Sequence, residues 1–109
     1  MIEDGDDVQG RFYLANAACM AGSAFSNSGV GLVHALGHAL GGVCGVPHGV
    51  AMNIFLPHGL EFNMSAVKDT IGEMLLPLEG SEVYARTPKE KRAEKTVECI
   101  REFKDELYK

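Results

Sequence analysis

Four histidines, at positions 34, 38, 48 and 58, fall in a stretch that is rich in glycine and alanine and almost free of other charge. Withdrawing an imidazole from water costs free energy unless its nitrogens find partners, so such a cluster calls for an explanation. His34 and His38 stand four residues apart on an expected helix. That spacing puts both rings on one face, separated by about 6 Å along the axis. Metal–nitrogen bonds are about 2.1 Å long, so the pair can chelate one divalent ion. His48 follows Pro47 at the start of the next expected helix, where it can be aimed back at the same point. For any one of these histidines the plain reading is a residue hydrogen-bonded to backbone; three in one hairpin favour the metal. Spacing alone admits a rival, since His34, His38, Cys44 and His48 would suffice for a closed tetrahedral zinc site. That pattern matches no common zinc module, and Cys44 falls in a Gly-rich connector.

The elements that must position these residues read as helices throughout. The first starts at Asp6 or Asp7, either of which can accept hydrogen bonds from free amides at a helix N-terminus. Leu14, Ala17, Ala18, Ala21 and Phe25 then recur at helical spacing, until Asn27-Ser28-Gly29 breaks the pattern as a turn. A second helix is expected from Gly31 to Leu40, stopping at Gly41-Gly42. Pro47 suits the first turn of a third, which Pro57 should end or kink. A fourth is expected between Ser65 and Leu76, with Val67, Ile71 and Met74 or Leu75 inward. Thr87-Pro88-Lys89-Glu90 combines a capping-box pattern with proline at the first helical position. The last helix then carries Ala93, Val97, Ile100, Phe103 or Lys104, and Leu107 in one stripe. No segment alternates with period two, so the fold class is all-α, a bundle of about five helices.

Composition narrows the partners. Of 109 residues, 46% are apolar, enough for a globular domain with its own core. The net charge of −5, with no Lys/Arg cluster before residue 86, argues against nucleic acid and anionic membrane surfaces. The stretch from Gly29 to Leu56 is long enough to consider as a membrane span, but three histidines and Pro47 interrupt it. The three cysteines, Cys19, Cys44 and Cys99, include no Cys-x-x-Cys pair and are expected as buried, reduced thiols. The acidic start Glu3, Asp4, Asp6, Asp7 is the opposite of a signal peptide, so the expected location is cytoplasmic.

The run from Ala24 to Gly42, containing Gly29-Val30-Gly31-Leu32-Val33-His34-Ala35-Leu36-Gly37-His38, resembles the signature of iron-containing alcohol dehydrogenases. Val46-Pro47-His48-Gly49-Val50-Ala51, Leu56-Pro57-His58 and Glu61-Phe62-Asn63 are similar to the stretch downstream of that signature in the same family. The likeness covers roughly residues 4 to 70. It implies that His34 and His48 are metal ligands, and that His38 lies near the nicotinamide and substrate, assisting proton transfer or orientation. His58 matches a family position without a ligand role and is expected to be structural. Phe25 is expected in the core, with the active-site cleft as the other option. The resemblance further implies Fe2+ (or Zn2+ in its place), NAD(P), a small alcohol or aldehyde as substrate, and a homo-oligomer.

Other parts of the family's machinery are not in this sequence. Its Asp-x-x-x-His motif, which supplies the remaining aspartate and histidine ligands, has no counterpart here. Gly29-x-Gly31 follows an expected helix rather than a strand, so it is not a dinucleotide fingerprint. Residues 1–109 are thus expected to be part of a C-terminal helical metal-binding domain, with the dinucleotide-binding domain and the final helices elsewhere. The isolated chain is expected to be inactive. Two other readings compete: a non-catalytic, self-associating helical module, and a zinc-using polyol dehydrogenase relative.

Overall fold

The computed structural model of the chain describes residues 3–109 and contains five α-helices: α1 (Val8–Ser28), α2 (Leu32–Cys44), α3 (His48–Glu73), α4 (Leu75–Arg86) and α5 (Arg92–Leu107). A 3-10 turn, Lys89–Lys91, leads into α5, and there is no β-strand among the described residues. The all-α reading holds. The chain divides into two units, residues 1–31 and residues 32–109.

The first unit is α1 with its flanks. Asp7 caps it, accepting a hydrogen bond from the Gly10 amide at 2.8 Å, and that amide holds the Asp7 carboxyl below its ordinary range. At the other end the helix runs past Asn27, where the sequence pattern places the turn. Ser26, Asn27 and Ser28 donate side-chain hydrogen bonds to the carbonyls of Gly22, Ser23 and Ala24, four residues back, and so stay helical. Gly29, at φ 76°, ends the helix. None of the residues of α1 is buried. Phe25 is half exposed, so the expected core role does not hold within this chain.

The second unit packs α2, α3, α4 and α5 together. Its core is Ile71, Ala93 and Val97, with Leu60 and Met64 laid against it, and Leu75 and Ala51 are also fully buried. Burying each large aliphatic side chain here contributes roughly 1.5–3 kcal/mol. The buried Thr96 hydroxyl lies 3.0 Å from the Ile71 carbonyl and 2.9 Å from the Arg92 carbonyl, so the polar group is satisfied and ties α5 to the end of α3.

Several boundaries differ from expectation. Gly41 and Gly42 do not stop α2; Gly45 does, at φ 68°, with its amide donating to the Gly41 carbonyl. Pro57 lies buried inside α3 instead of ending it. Packing of α3 against α2 on one side and α5 on the other outweighs the roughly 3 kcal/mol that an interior proline costs. The break falls ten residues on, at Val67 (φ −132°, ψ 34°), and Val67 is exposed rather than inward. Helix α4 has no counterpart in the expected elements; it bends at Gly80, where φ is 87°. The Thr87-Pro88 boundary is real, but its capping is reversed. The Thr87 hydroxyl donates back to the Val83 carbonyl at 2.7 Å, closing α4, and Lys91 precedes α5 with no side-chain cap. On α5, Ala93 and Val97 are buried as expected, Ile100 and Leu107 are half-buried, and Phe103 is exposed.

Candidate metal centre

Three of the four histidines meet at the α2–α3 turn. His34 and His38 occupy successive turns of α2, with ring centroids 5.6 Å apart and planes at 82°. The chain leaves α2 at Cys44 and re-enters helix at His48. The connector folds tightly onto α2: a Cβ on Gly41 would lie 3.2 Å from the Val46 carbonyl oxygen. Pro47 takes the N-cap position of α3, and its carbonyl accepts the Ala51 amide at 3.0 Å, so His48 becomes the first helical residue. The His48 ring centroid is 5.6 Å from that of His34 and 5.4 Å from that of His38. The three rings form a nearly equilateral triangle.

Two close contacts set α2 against α3 beneath this triangle. Gly37, buried between the two α2 histidines, faces Met52 and Ala51; a Cβ there would fall 2.5 Å from Met52 Cε. A Cβ on Gly59 would fall 2.5 Å from Val33 Cγ2. Sequence reasoning missed both positions. The signal was the glycine itself, placed inside a helix where it costs about 1 kcal/mol relative to alanine unless a neighbour needs the space.

The centroid spacing fits a shared ion. Three imidazoles on one tetrahedral metal, each nitrogen about 2.1 Å from it, place their centroids about 5 Å apart. The donor atoms themselves are not gathered into a cage: among the described residues no three His, Cys, Asp or Glu side chains are disposed to hold a metal as they stand. Cys44, the fourth member of the zinc alternative, is exposed and joins no such set. His34 is half-buried, while His38 and His48 are exposed, so the triangle opens to one side. His58 lies outside it; it is exposed, and its Nδ1 is 4.0 Å from Glu61 Oε2.

A separate cleft of about 590 Å3 runs between α3 and α5, lined among others by Glu61, Met64, Lys95, Val97 and Arg101. It contains no histidine. Two ion pairs lie along it, Arg101 Nη2 to Glu61 Oε1 at 2.7 Å and Lys95 Nζ to Glu98 Oε2 at 2.9 Å.

Of the cysteines, only Cys99 is buried; Cys19 and Cys44 are exposed, against expectation. Burial first, and then the neighbouring Glu79 carboxylate, push the Cys99 thiol up from 9.0 to about 11.

Residues 1–108 match the model of the Fe-containing alcohol dehydrogenase family, C-terminal. The chain belongs to this family. It is 42% identical over 65 residues to the NAD-dependent methanol dehydrogenase of Bacillus methanolicus, covering 60% of this chain and 17% of that protein. It is 45% identical over 62 residues to the 1,3-propanediol dehydrogenase of Klebsiella pneumoniae, covering 57% of this chain and 16% of that protein. Against alcohol dehydrogenase 4 of Saccharomyces cerevisiae (strain YJM789) it is 43% identical over 76 residues, covering 68% and 20% respectively. This family member thus spans a fifth or less of the length of these relatives. No solved structure matches the chain. Among the described residues, no helix of this iron-type dehydrogenase segment is long and apolar enough to cross a membrane.

Proposed function

We propose that the chain is the metal-binding portion of the helical domain of an NAD(P)-dependent alcohol dehydrogenase, with the dinucleotide-binding domain and the remaining ligands supplied by polypeptide outside residues 1–109. His34 and His48 ligate the divalent iron, and His38 stands beside the reacting groups. The observation that carries this reading is the triangle of His34, His38 and His48, built by the segment that resembles the family's signature. When bound, the metal supplies Lewis acidity that favours loss of the alcohol proton.

The chain's own residues do the rest of what this segment contributes. His34 and His48 hold donors from two different helices at a fixed separation, which the Gly37–Met52 and Val33–Gly59 contacts maintain. His38, exposed at the rim, presents a ring nitrogen that can accept or return a proton. The substrate class is a small alcohol or aldehyde, the location cytoplasmic, and the working assembly a homo-oligomer.

A chimera tests this. Replacing the matched segment of the Bacillus methanolicus relative with the corresponding residues of this chain is expected to give alcohol-dependent reduction of NAD. His34→Ala or His48→Ala in the chimera should abolish metal and turnover together. A folded chimera that keeps its metal in both variants would refute the ligand assignment.

A further inference from the structure

We infer that Tyr108 is a latch: its hydroxyl holds the front of α3, residues 48–56, against the end of α5, and so orients the α2–α3 turn on the rest of the second unit. The latch follows from the packing of the helices. Its consequence for a metal rests on the reading that His48 is a ligand.

Among the described residues, three side-chain hydrogen bonds tie α5 to α3. The Thr96 hydroxyl lies 3.0 Å from the Ile71 carbonyl, Arg101 Nη2 lies 2.7 Å from Glu61 Oε1, and Asn53 Nδ2 donates to the Tyr108 hydroxyl at 3.1 Å. The partners on α3 fall in number as those on α5 rise, so the two helices run antiparallel. From the second tie to the third, α3 advances from 61 to 53 and α5 from 101 to 108. At 1.5 Å per residue those steps are about 12 and about 10 Å, so the ties stay in register. Tyr108, the residue that closes α5, is thus placed opposite Asn53 by the same docking that sets the two ties before it.

Pro57 makes this third tie matter more than its neighbours. It has no amide, so the carbonyl of Asn53, four residues earlier, loses the donor that a helix would set opposite it. The front of α3 is joined to the remainder by one backbone bond fewer. On one side α2 packs across that point, with Gly37 against Met52 ahead of the proline and Val33 against Gly59 behind it. On the other side, Asn53–Tyr108 is the one side-chain hydrogen bond from α5 that reaches α3 ahead of Pro57, among the described residues. His48 is the first residue of the segment so held. Tyr108 is 57% exposed, so water competes for the bond, and the latch opens far more readily than the buried tie at Thr96.

Hydrogen exchange of the whole chain, resolved by segment, tests the latch. Tyr108→Phe deletes only the hydroxyl, and is expected to speed exchange of the amides of residues 50–56 by roughly two- to tenfold, the span of one modest hydrogen bond. In an Asn53→Ala background, where the partner amide is gone, Tyr108→Phe should have no effect. In an Asn53→Asp background the effect should return, because the carboxylate can accept a hydrogen bond from the Tyr108 hydroxyl. Amides of residues 93–100 should exchange as in the parent, which separates an open latch from a general loss of stability. In 1H–13C spectra, the His48 ring signals should move in Tyr108→Phe while those of His58, behind the proline, stay in place. Unchanged exchange of residues 50–56 overturns the inference. So does an effect that persists in Asn53→Ala, an equal loss of protection throughout the chain, or a stationary His48 signal. The ligand assignment is untouched by any of these results, since the His34 and His48 variants decide it.

Discussion

Val33 and Gly59 touch so closely that no side chain fits between them: a Cβ on Gly59 would lie 2.5 Å from Val33 Cγ2. Val33 immediately precedes His34 and Gly59 lies on α3, so this contact fixes how the helix carrying two histidines lies on the helix carrying the third. Gly59→Ala gains up to about 1 kcal/mol of helix propensity. It also drives a methyl into a β-branched side chain with few alternative rotamers, at a cost of about 1–3 kcal/mol. The steric term should win. A lower midpoint in urea is expected, and Val33→Ala added to Gly59→Ala should recover part of it. An unchanged midpoint for Gly59→Ala would mean that α2 slides without consequence.

Thr96→Val should destabilise the chain by about 1 kcal/mol, the net worth of one buried hydrogen bond. The shape of the side chain is kept, so the measured loss reports the hydroxyl's hydrogen bonding to the Ile71 and Arg92 carbonyls rather than a cavity. Chemical denaturation of the pair of proteins is the check.

Cys99 should resist alkylation. With its thiol pushed to about 11, a very small fraction is thiolate at pH 8, whereas Cys19 and Cys44 are exposed. Iodoacetamide followed by peptide mass mapping is expected to label Cys19 and Cys44 and spare Cys99 until urea is added. The same shift has a sign in stability. The folded state holds this proton more tightly than the unfolded one, so the contribution is intact below pH 9 and is lost as pH rises through about 11. A denaturation midpoint that falls across that window in the parent, and falls less in Cys99→Ala, is the expected result.

The chain by itself should give no alcohol-dependent NADH or NADPH formation, with or without ferrous iron. Its sequence holds neither the Asp-x-x-x-His donors nor a Gly-rich nucleotide turn. Turnover above a His34→Ala control, measured at the nicotinamide absorbance with several primary alcohols, would overturn this.

Self-association is also expected. Phe12 and Met20 of α1, Val43 of α2 and Phe62 of α3 are each more than half exposed, an apolar surface that water disfavours. Light scattering across a concentration series should show mass above that of the monomer, and a constant monomeric mass would count against it.

Much of this arrangement was legible in the sequence because it depends on local rules. Asp7 caps α1 because a short carboxylate just ahead of a helix meets a free amide whatever lies around it. His34 and His38 meet because four residues make about one turn. Pro57 misled, since the cost of an interior proline is local whereas the packing that overrides it comes from α2 and α5. Thr87 misled for another reason: a hydroxyl between two helices can serve either, and only the structure shows it donating backwards to Val83. The equal distance of His48 from both α2 histidines depends on how tightly Val46 folds onto Gly41, which no periodicity encodes.

All three rings of the triangle come from positions 34 to 48, on one helix, one short turn and the first residue of the next helix. Closing so short a loop costs little entropy and is fast compared with the pairing of distant segments. On the ribosome, this hairpin can gather its imidazoles as soon as the first turns of α3 emerge, before α5 exists to complete the core. The hairpin's local contacts would then precede the core, so that the order of assembly runs from the α2–α3 turn outward.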